Sequence, residues 1–289
     1  MVLGTVELGL KYGIHNSTGK PDEETAFAIL DRAWEAGVRE LDTAAGYGDS
    51  EEIIGRYMAG SGNRFRIATK YASEGDGGAD GLEDTFAGSL DRLRVDHIDL
   101  LYMHRFEQCK DEGIVRIFKA RKEEGLVDRT GISIYDEKEM EYIIKHCPYV
   151  DVIQFPYNLL DCNRWNRNNV MQRAKEAGKQ LYVRSVFLQG LVFCDPEDER
   201  VESKGVCGHV RFVREYAKEK GMSLAQLAYA FVRSNPYIDE IILGCETEEQ
   251  MKENAQLEQE YRKLQNTSFA DIAVKMEDVP DEAIDPRKW

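Results

Sequence analysis

Eight short apolar runs, each followed by an amphipathic stretch, set the pattern of the chain. They are Leu3–Gly9, Arg39–Thr43, Arg66–Lys70, Ile98–His104, Arg129–Ser133, Val152–Tyr157, Leu181–Ser185 and Glu240–Cys245. Near-continuous apolar runs of roughly five residues suit strands buried on both faces, as in a parallel sheet. The stretches between them read as helices. In Glu24–Gly37 apolar residues recur at three and four, and Gly37 supplies the stop. Glu83–Asp96, Glu112–Gly125 and Val170–Gln180 follow the same rule. Eight uninterrupted alternations favour a closed (β/α)8 barrel over an open doubly wound sheet. The seventh strand is followed by two helical patterns, His209–Gly221 and Ser223–Asn235, with Ser223 placed to cap the second. The last helix is expected to start near Thr247. The tail over 260–289, aperiodic from about Phe269, is expected to wrap the barrel and to pack Trp289.

A chain of 289 residues fits one barrel, typically about 250 residues, and no Pro/Gly/Ser-rich linker divides 1–289 into two domains. Gly75–Gly81 reads as a loop over the site. No run of about 18 apolar residues and no basic-then-apolar amino terminus occurs, so neither a membrane partner nor a signal peptide is expected. The net charge of −15 argues against a nucleic-acid partner and means that an anion must be held by local donors. Six cysteines without paired spacing point to reduced thiols and a cytoplasmic protein. Five scattered histidines give no metal-ligand motif, so no metal is expected.

Chemistry concentrates in Leu41–Gly55, LDTAAGYGDSEEIIG. A strand end, a glycine-bearing loop and an acid-rich helix start follow one another there, as at the face where an α/β barrel keeps its catalytic groups. Asp42 ends the strand and Tyr47 lies in the loop; Lys70 ends the next run and His104 the one after. A carbonyl reductase needs a proton donor beside the carbonyl oxygen. Free tyrosine titrates near about 10, and a neighbouring lysine cation would lower that value. Tyr47 fits the acid/base role, Lys70 its activator, Asp42 the partner of the lysine, and His104 a group that orients the carbonyl.

These residues resemble the aldo-keto reductases: Asp42-Thr43-Ala44, Tyr47-Gly48, Ser50-Glu51 and Gly55, then Lys70 and His104, agree with that family in order and spacing. The resemblance implies the same four catalytic roles and a nicotinamide dinucleotide, NAD(H) or NADP(H), extended over the barrel mouth without the GxGxxG turn. By the same resemblance Ser133 and Gln154 contact the carboxamide, while Ile134 stands where the family usually has Asn. Arg184 stands where many relatives stack an aromatic residue on the nicotinamide; it is read as a stacking group or as an anchor for an anionic substrate or the pyrophosphate. Ser185, Leu188 and Gly190 match the loop that carries pyrophosphate on backbone amides, and Gln250 and Asn254 match adenine contacts. Glu246 replaces the Arg of phosphate-specific members, which favours NAD over NADP. The runs RSVFLQG and GLKYGIHNSTGKP are similar to those of a bacterial subgroup associated with sugar and surface-polysaccharide clusters.

Substrate choice is assigned to the loops Tyr71–Gly81, Arg105–Glu112 and Asn158–Asn169, with Arg105 and Trp165 as candidate contacts. Trp165 reads equally as an aromatic closing over the barrel rim. A sugar, nucleotide-sugar or small aldehyde is the expected carbonyl or alcohol substrate, and the oligomeric state stays open. Two other classes are weighed: a cofactor-binding accessory protein with little catalysis, and a metal-assisted barrel hydrolase or isomerase. The first would tolerate loss of Tyr47 or Lys70, and the second would need clustered carboxylates and histidines.

Overall fold

The structure, a computed structural model, describes all residues except 15, 17–18, 72–77 and 265–267. The parallel strands β1 (Val2–Gly4), β2 (Glu40–Asp42), β3 (Arg66–Tyr71), β4 (Ile98–Met103), β5 (Val127–Ser133), β6 (Val152–Pro156), β7 (Gln180–Arg184) and β8 (Glu240–Gly244) each pair with the next, and β8 returns to β1. The result is the closed barrel that the alternation predicts. Helices follow the strands around the outside, including Cys207–Glu219 and Leu224–Arg233 between β7 and β8. Ser223 caps the second of these through Gln226 N–H at 3.1 Å, and the Gln226 side chain accepts from Ser223 N–H at 2.6 Å. Thr247 caps Glu248–Tyr261. Among the described residues no helix is long and apolar enough to cross a membrane.

Strand parity sorts the barrel, because successive side chains point to opposite faces. Leu41, Ile67, Leu101, Ile132, Ile153, Leu181 and Ile241 face outward into the core shared with the helices. Val2, Ala68, Leu100, Tyr102, Val152, Tyr182 and Ile242 form a second, interior cluster. Below it Glu40 pairs with Arg129 at 3.1 Å, and Arg129 donates to the Tyr182 hydroxyl at 3.0 Å, closing the barrel bottom. Above it the inward positions are Asp42, Lys70 and Gln154, all buried. The interior is therefore packed, and polar groups are confined to its two ends.

The first strand is shorter than the run Leu3–Gly9 suggests. Thr5 donates both its N–H and its hydroxyl to Asp42 O, each at 3.0 Å, as the last bonds between β1 and β2, and Val6–Gly9 then forms one helical turn. That turn packs against the loop carrying Tyr47, where a Cβ on Gly9 would stand 1.8 Å from Tyr47 O. The Gly75–Gly81 loop is described only from Gly78, where the helix Gly78–Leu93 begins; residues 75–77 lie outside the described residues.

The tail makes contacts with a helix before β8 and with the segment after β6. Phe269 packs edge-on to Phe231, with centroids 6.3 Å apart, and Asn163 Nδ2 donates to Ala273 O at 2.7 Å. The Trp289 indole donates to Glu282 O at 3.1 Å, with the Lys204 ammonium 4.3 Å from its ring.

Gly9→Ala should force the first turn away from the Tyr47 loop. The expected loss is about 1–3 kcal/mol in urea unfolding, the usual cost of overpacking. Unchanged stability would show that the turn moves freely.

Candidate active site

Asp42 is the hub of the barrel's upper end. Its Oδ1 accepts from Lys70 Nζ at 2.5 Å and its Oδ2 from Gln154 Nε2 at 2.7 Å, so three strands meet on one carboxylate. Lys70 Nζ also donates to Thr43 O at 2.8 Å. Burial lowers the Lys70 pKa and the Asp42 charge works against that shift. A buried cation of this kind is tolerable only because it is paired and hydrogen-bonded.

Tyr47 and His104 face each other above this pair, rings edge-to-face with centroids 6.2 Å apart, and Lys70 Nζ lies 5.0 Å from the Tyr47 ring. Burial, with help from the Lys70, Arg184 and Arg105 charges, pushes the His104 pKa down to about 3. The imidazole is therefore neutral at any working pH. On balance the Tyr47 pKa is raised. Burial and the Asp42 charge raise that pKa, and Arg184 is the cation that opposes them. Lys70 itself is engaged by Asp42 and by Thr43 O.

Tyr47 and His104 open into a cavity of about 610 Å³ that runs to Glu246, Gln250 and Asn254. Its walls contain Asp42, Ser133, Gln154, Arg184, Ser185 and Gly190 as well. Among the described residues the Arg184 guanidinium makes only long hydrogen-bond contacts, to Ser133 Oγ at 3.4 Å, Ser185 Oγ at 3.4 Å and Ile134 O at 3.5 Å. Gln154 keeps its amide oxygen buried without a hydrogen-bond partner among the described residues. A buried acceptor without a partner, on a residue of the cavity wall that also contains Ser133, fits the N–H₂ of a carboxamide. At the far end Gln250 Oε1 accepts from Glu246 N–H at 2.7 Å, and Asn254 Nδ2 donates to Gly244 O at 3.2 Å.

Several expected contacts lie elsewhere. Trp165 is fully buried, packed on Phe155 with centroids 4.5 Å apart, and is neither a rim nor a cavity residue. Arg105 starts the turn Phe106–Lys110, its N–H donating to Gln108 Oε1 at 2.9 Å, and does not line the cavity. No described residue of Tyr71–Gly81, Arg105–Glu112 or Asn158–Asn169 does so. Ile134 points outward into the core. Leu188 is also buried; its N–H donates to Ser185 O and that of Gly190 to Phe187 O, both at 2.9 Å, so neither amide is open to a phosphate in this structure.

Sequence reasoning missed Glu7, Tyr12, Tyr135, Phe187 and Phe193, which all line the cavity. Tyr135 was within reach of strand parity, since it follows Ser133 by two. Tyr12 accepts from Gln189 Nε2 at 3.1 Å, and Ile14 N–H donates to Gln189 O at 3.1 Å, so the segment after β1 joins the loop after β7 along one side of the cavity. Glu7 lies over Gly244, where a Cβ would stand 2.4 Å from both carboxylate oxygens. Its Oε2 has no partner among the described residues. Burial, opposed by its own backbone N–H and reinforced by Glu246, raises its pKa from 4.5 to about 8.

A model of the aldo/keto reductase family matches residues 1–276. The chain belongs to that family. This family member is 26% identical to an uncharacterized oxidoreductase of Bacillus subtilis (strain 168), across 93% of this chain and 96% of that one. It is also 26% identical to the L-glyceraldehyde 3-phosphate reductase of Escherichia coli (strain K12), across 81% and 78%. The fold matches a solved aldo-keto reductase from Bacillus halodurans with a TM-score of 0.73, at 22% identity, over 100% of this chain and 94% of that one. The protein is thus an oxidoreductase of the aldo-keto reductase type, a family whose general activity is NAD(P)-dependent carbonyl reduction.

The raised Glu7 pKa carries a sign. Its contribution to stability is full below the unfolded value of 4.5 and is lost as pH rises through about 8. Glu7→Gln should therefore be more stable than wild type by at least about 1 kcal/mol at pH 9, the advantage shrinking toward pH 5. An advantage independent of pH would place the Glu7 carboxylate in water.

Proposed function

We propose that this oxidoreductase reduces a small polar carbonyl compound, a sugar or short aldehyde, with Tyr47 delivering the proton. The observation that carries the reading is Tyr47 and His104 facing each other at the head of one cavity, above the buried Lys70–Asp42 pair. When bound, a nicotinamide supplies the hydride to the carbonyl carbon. Gln154 and Ser133 would hold its carboxamide. Neutral His104 donates an N–H to the carbonyl oxygen and fixes its direction. As negative charge grows on that oxygen the Tyr47 phenol gives up its proton, and Lys70 stabilises the tyrosinate left behind. A phenol whose pKa is raised stays protonated, which suits donation to an alkoxide and so the reductive direction.

NAD(H) is the cofactor this reading prefers. The far end of the cavity is walled by Glu246 and Glu253, with Glu7 nearby, and Arg184 at the opposite end is the one Lys or Arg in the described wall. Carboxylates repel a 2′-phosphate and accept hydrogen bonds from a free ribose.

Tyr47→Phe should lower kcat for aldehyde reduction by at least about 100-fold, with the cofactor still bound; activity within tenfold of wild type would remove Tyr47 as the proton donor. In fluorescence titrations NADH should bind at least about tenfold more tightly than NADPH, a difference of about 1.4 kcal/mol. The reverse preference would show that a cation outside the described wall reads the 2′-phosphate.

A further inference from the structure

The charges around the cavity are unevenly paired. Its described wall contains the carboxylates Glu7, Asp42, Glu246 and Glu253 and a single permanent cation, Arg184. Lys70, beneath the wall, is tied to Asp42 at 2.5 Å. Arg287, which reaches the site from the tail, is tied to Asp285 through Nε at 2.8 Å and Nη2 at 2.7 Å. No carboxylate among the described residues stands within ion-pairing distance of Arg184; its polar contacts are the three long ones, at 3.4–3.5 Å, which leave most of its donor capacity unused.

The guanidinium is nevertheless held in place. It lies 4.3 Å from the centre of the Tyr135 ring, and the Arg287 guanidinium lies 3.7 Å from the same ring. The Tyr135 backbone is fixed in turn, its N–H donating to Glu139 Oε2 at 2.8 Å and its carbonyl accepting from Arg164 Nη1 at 2.5 Å. Tyr135 is therefore a platform, anchored by two neighbouring helices and the tail, that holds a cation with no ion-pair partner among the described residues against the catalytic groups. A planar guanidinium held in this way is pre-organised to grip a carboxylate or phosphate through two N–H groups.

We propose that Arg184, on its Tyr135 platform, is the anchor for an anionic group of the substrate, so that the physiological substrate is a carbonyl compound carrying a carboxylate or a phosphate a few bonds from the carbonyl. This rests on the hydride-transfer reading and narrows it. In a protein of net charge −15, an anionic substrate needs one local cation to overcome the overall field. Arg184 lines the same cavity as Tyr47 and His104, which puts a bound anion in the space that holds the reacting carbonyl. Its charge also disfavours stacking on an oxidised, cationic nicotinamide.

The test compares butanal with succinic semialdehyde, and glycolaldehyde with glycolaldehyde phosphate, in wild type, Arg184→Met and Arg184→Lys. Wild type should prefer the charged member of at least one pair by tenfold or more in kcat/KM, and the pair identifies carboxylate or phosphate. Arg184→Met should reduce that preference at least tenfold, chiefly through KM, with Arg184→Lys retaining part of it. A preference absent from wild type, or unchanged in Arg184→Met, overturns the proposal. Calorimetry of wild type with glutarate and glutaramide, and with glycolaldehyde phosphate and glycolaldehyde, needs neither the variant to fold nor turnover. Tighter binding of a charged ligand that weakens with salt supports the anchor, and equal binding within both pairs overturns it. ADP-ribose provides the remaining arm: if Arg184→Met weakens it as much as it weakens the charged ligand, the arginine holds the cofactor pyrophosphate and the proposal falls. Charged-ligand binding without turnover of any of the four carbonyls would refute hydride transfer while leaving the anion site standing.

Discussion

The upper end of the barrel depends on one buried carboxylate. Asp42 holds Lys70 from β3 and Gln154 from β6, and Lys70 holds Thr43 O beside it, so the charge and the strands position one another. Bringing an ion pair out of water costs several kcal/mol per ion, and removing one partner of such a pair typically costs about 3–5 kcal/mol. The arrangement is therefore kept for what it places, not for net stability. It sets a cation under the Tyr47 ring and contributes to holding His104 neutral. A hydrocarbon filling would serve the fold equally well.

Strand parity explains why so much of the fold and site was legible in the sequence. Runs that alternate around Asp42, Lys70, Gln154 and Arg184 turn these residues inward, and the same parity turns Ile134 outward, so its replacement of an amide costs the cavity nothing. What could not be read follows no period. Trp165 sits in a stretch that read as an open loop but folds as the short helix Cys162–Asn166, over which the tail packs through Asn163 and Ala273. Glu7 depends on a strand that ends at Gly4, five residues before its apolar run does, where Thr5 turns both of its donors onto Asp42 O and Val6–Gly9 coils into a helical turn.

The loop after β7 shows a different limit. Ser185, Leu188 and Gln189 adopt positive φ of 58°, 47° and 52° without being glycine. Each such residue costs about 1–2 kcal/mol, and together they fold the loop onto its own carbonyls. The amides that a family match would offer to a phosphate are used in that turn. Sequence identity alone does not show whether a backbone donor is open.

The barrel also has an order of completion. Its seam joins β1 to β8, with the Met1 amino group 2.7 Å from Glu240, and the platform under Arg184 takes its second guanidinium from Arg287. A chain emerging from the ribosome has Asp42, Tyr47, Lys70 and His104 early, yet cannot close around them until β8 is made. The wall beside Arg184 is finished only when the tail arrives. Contacts of such long sequence separation form late and slow folding. The acid/base groups therefore exist in the nascent protein well before the enclosure that excludes water from them.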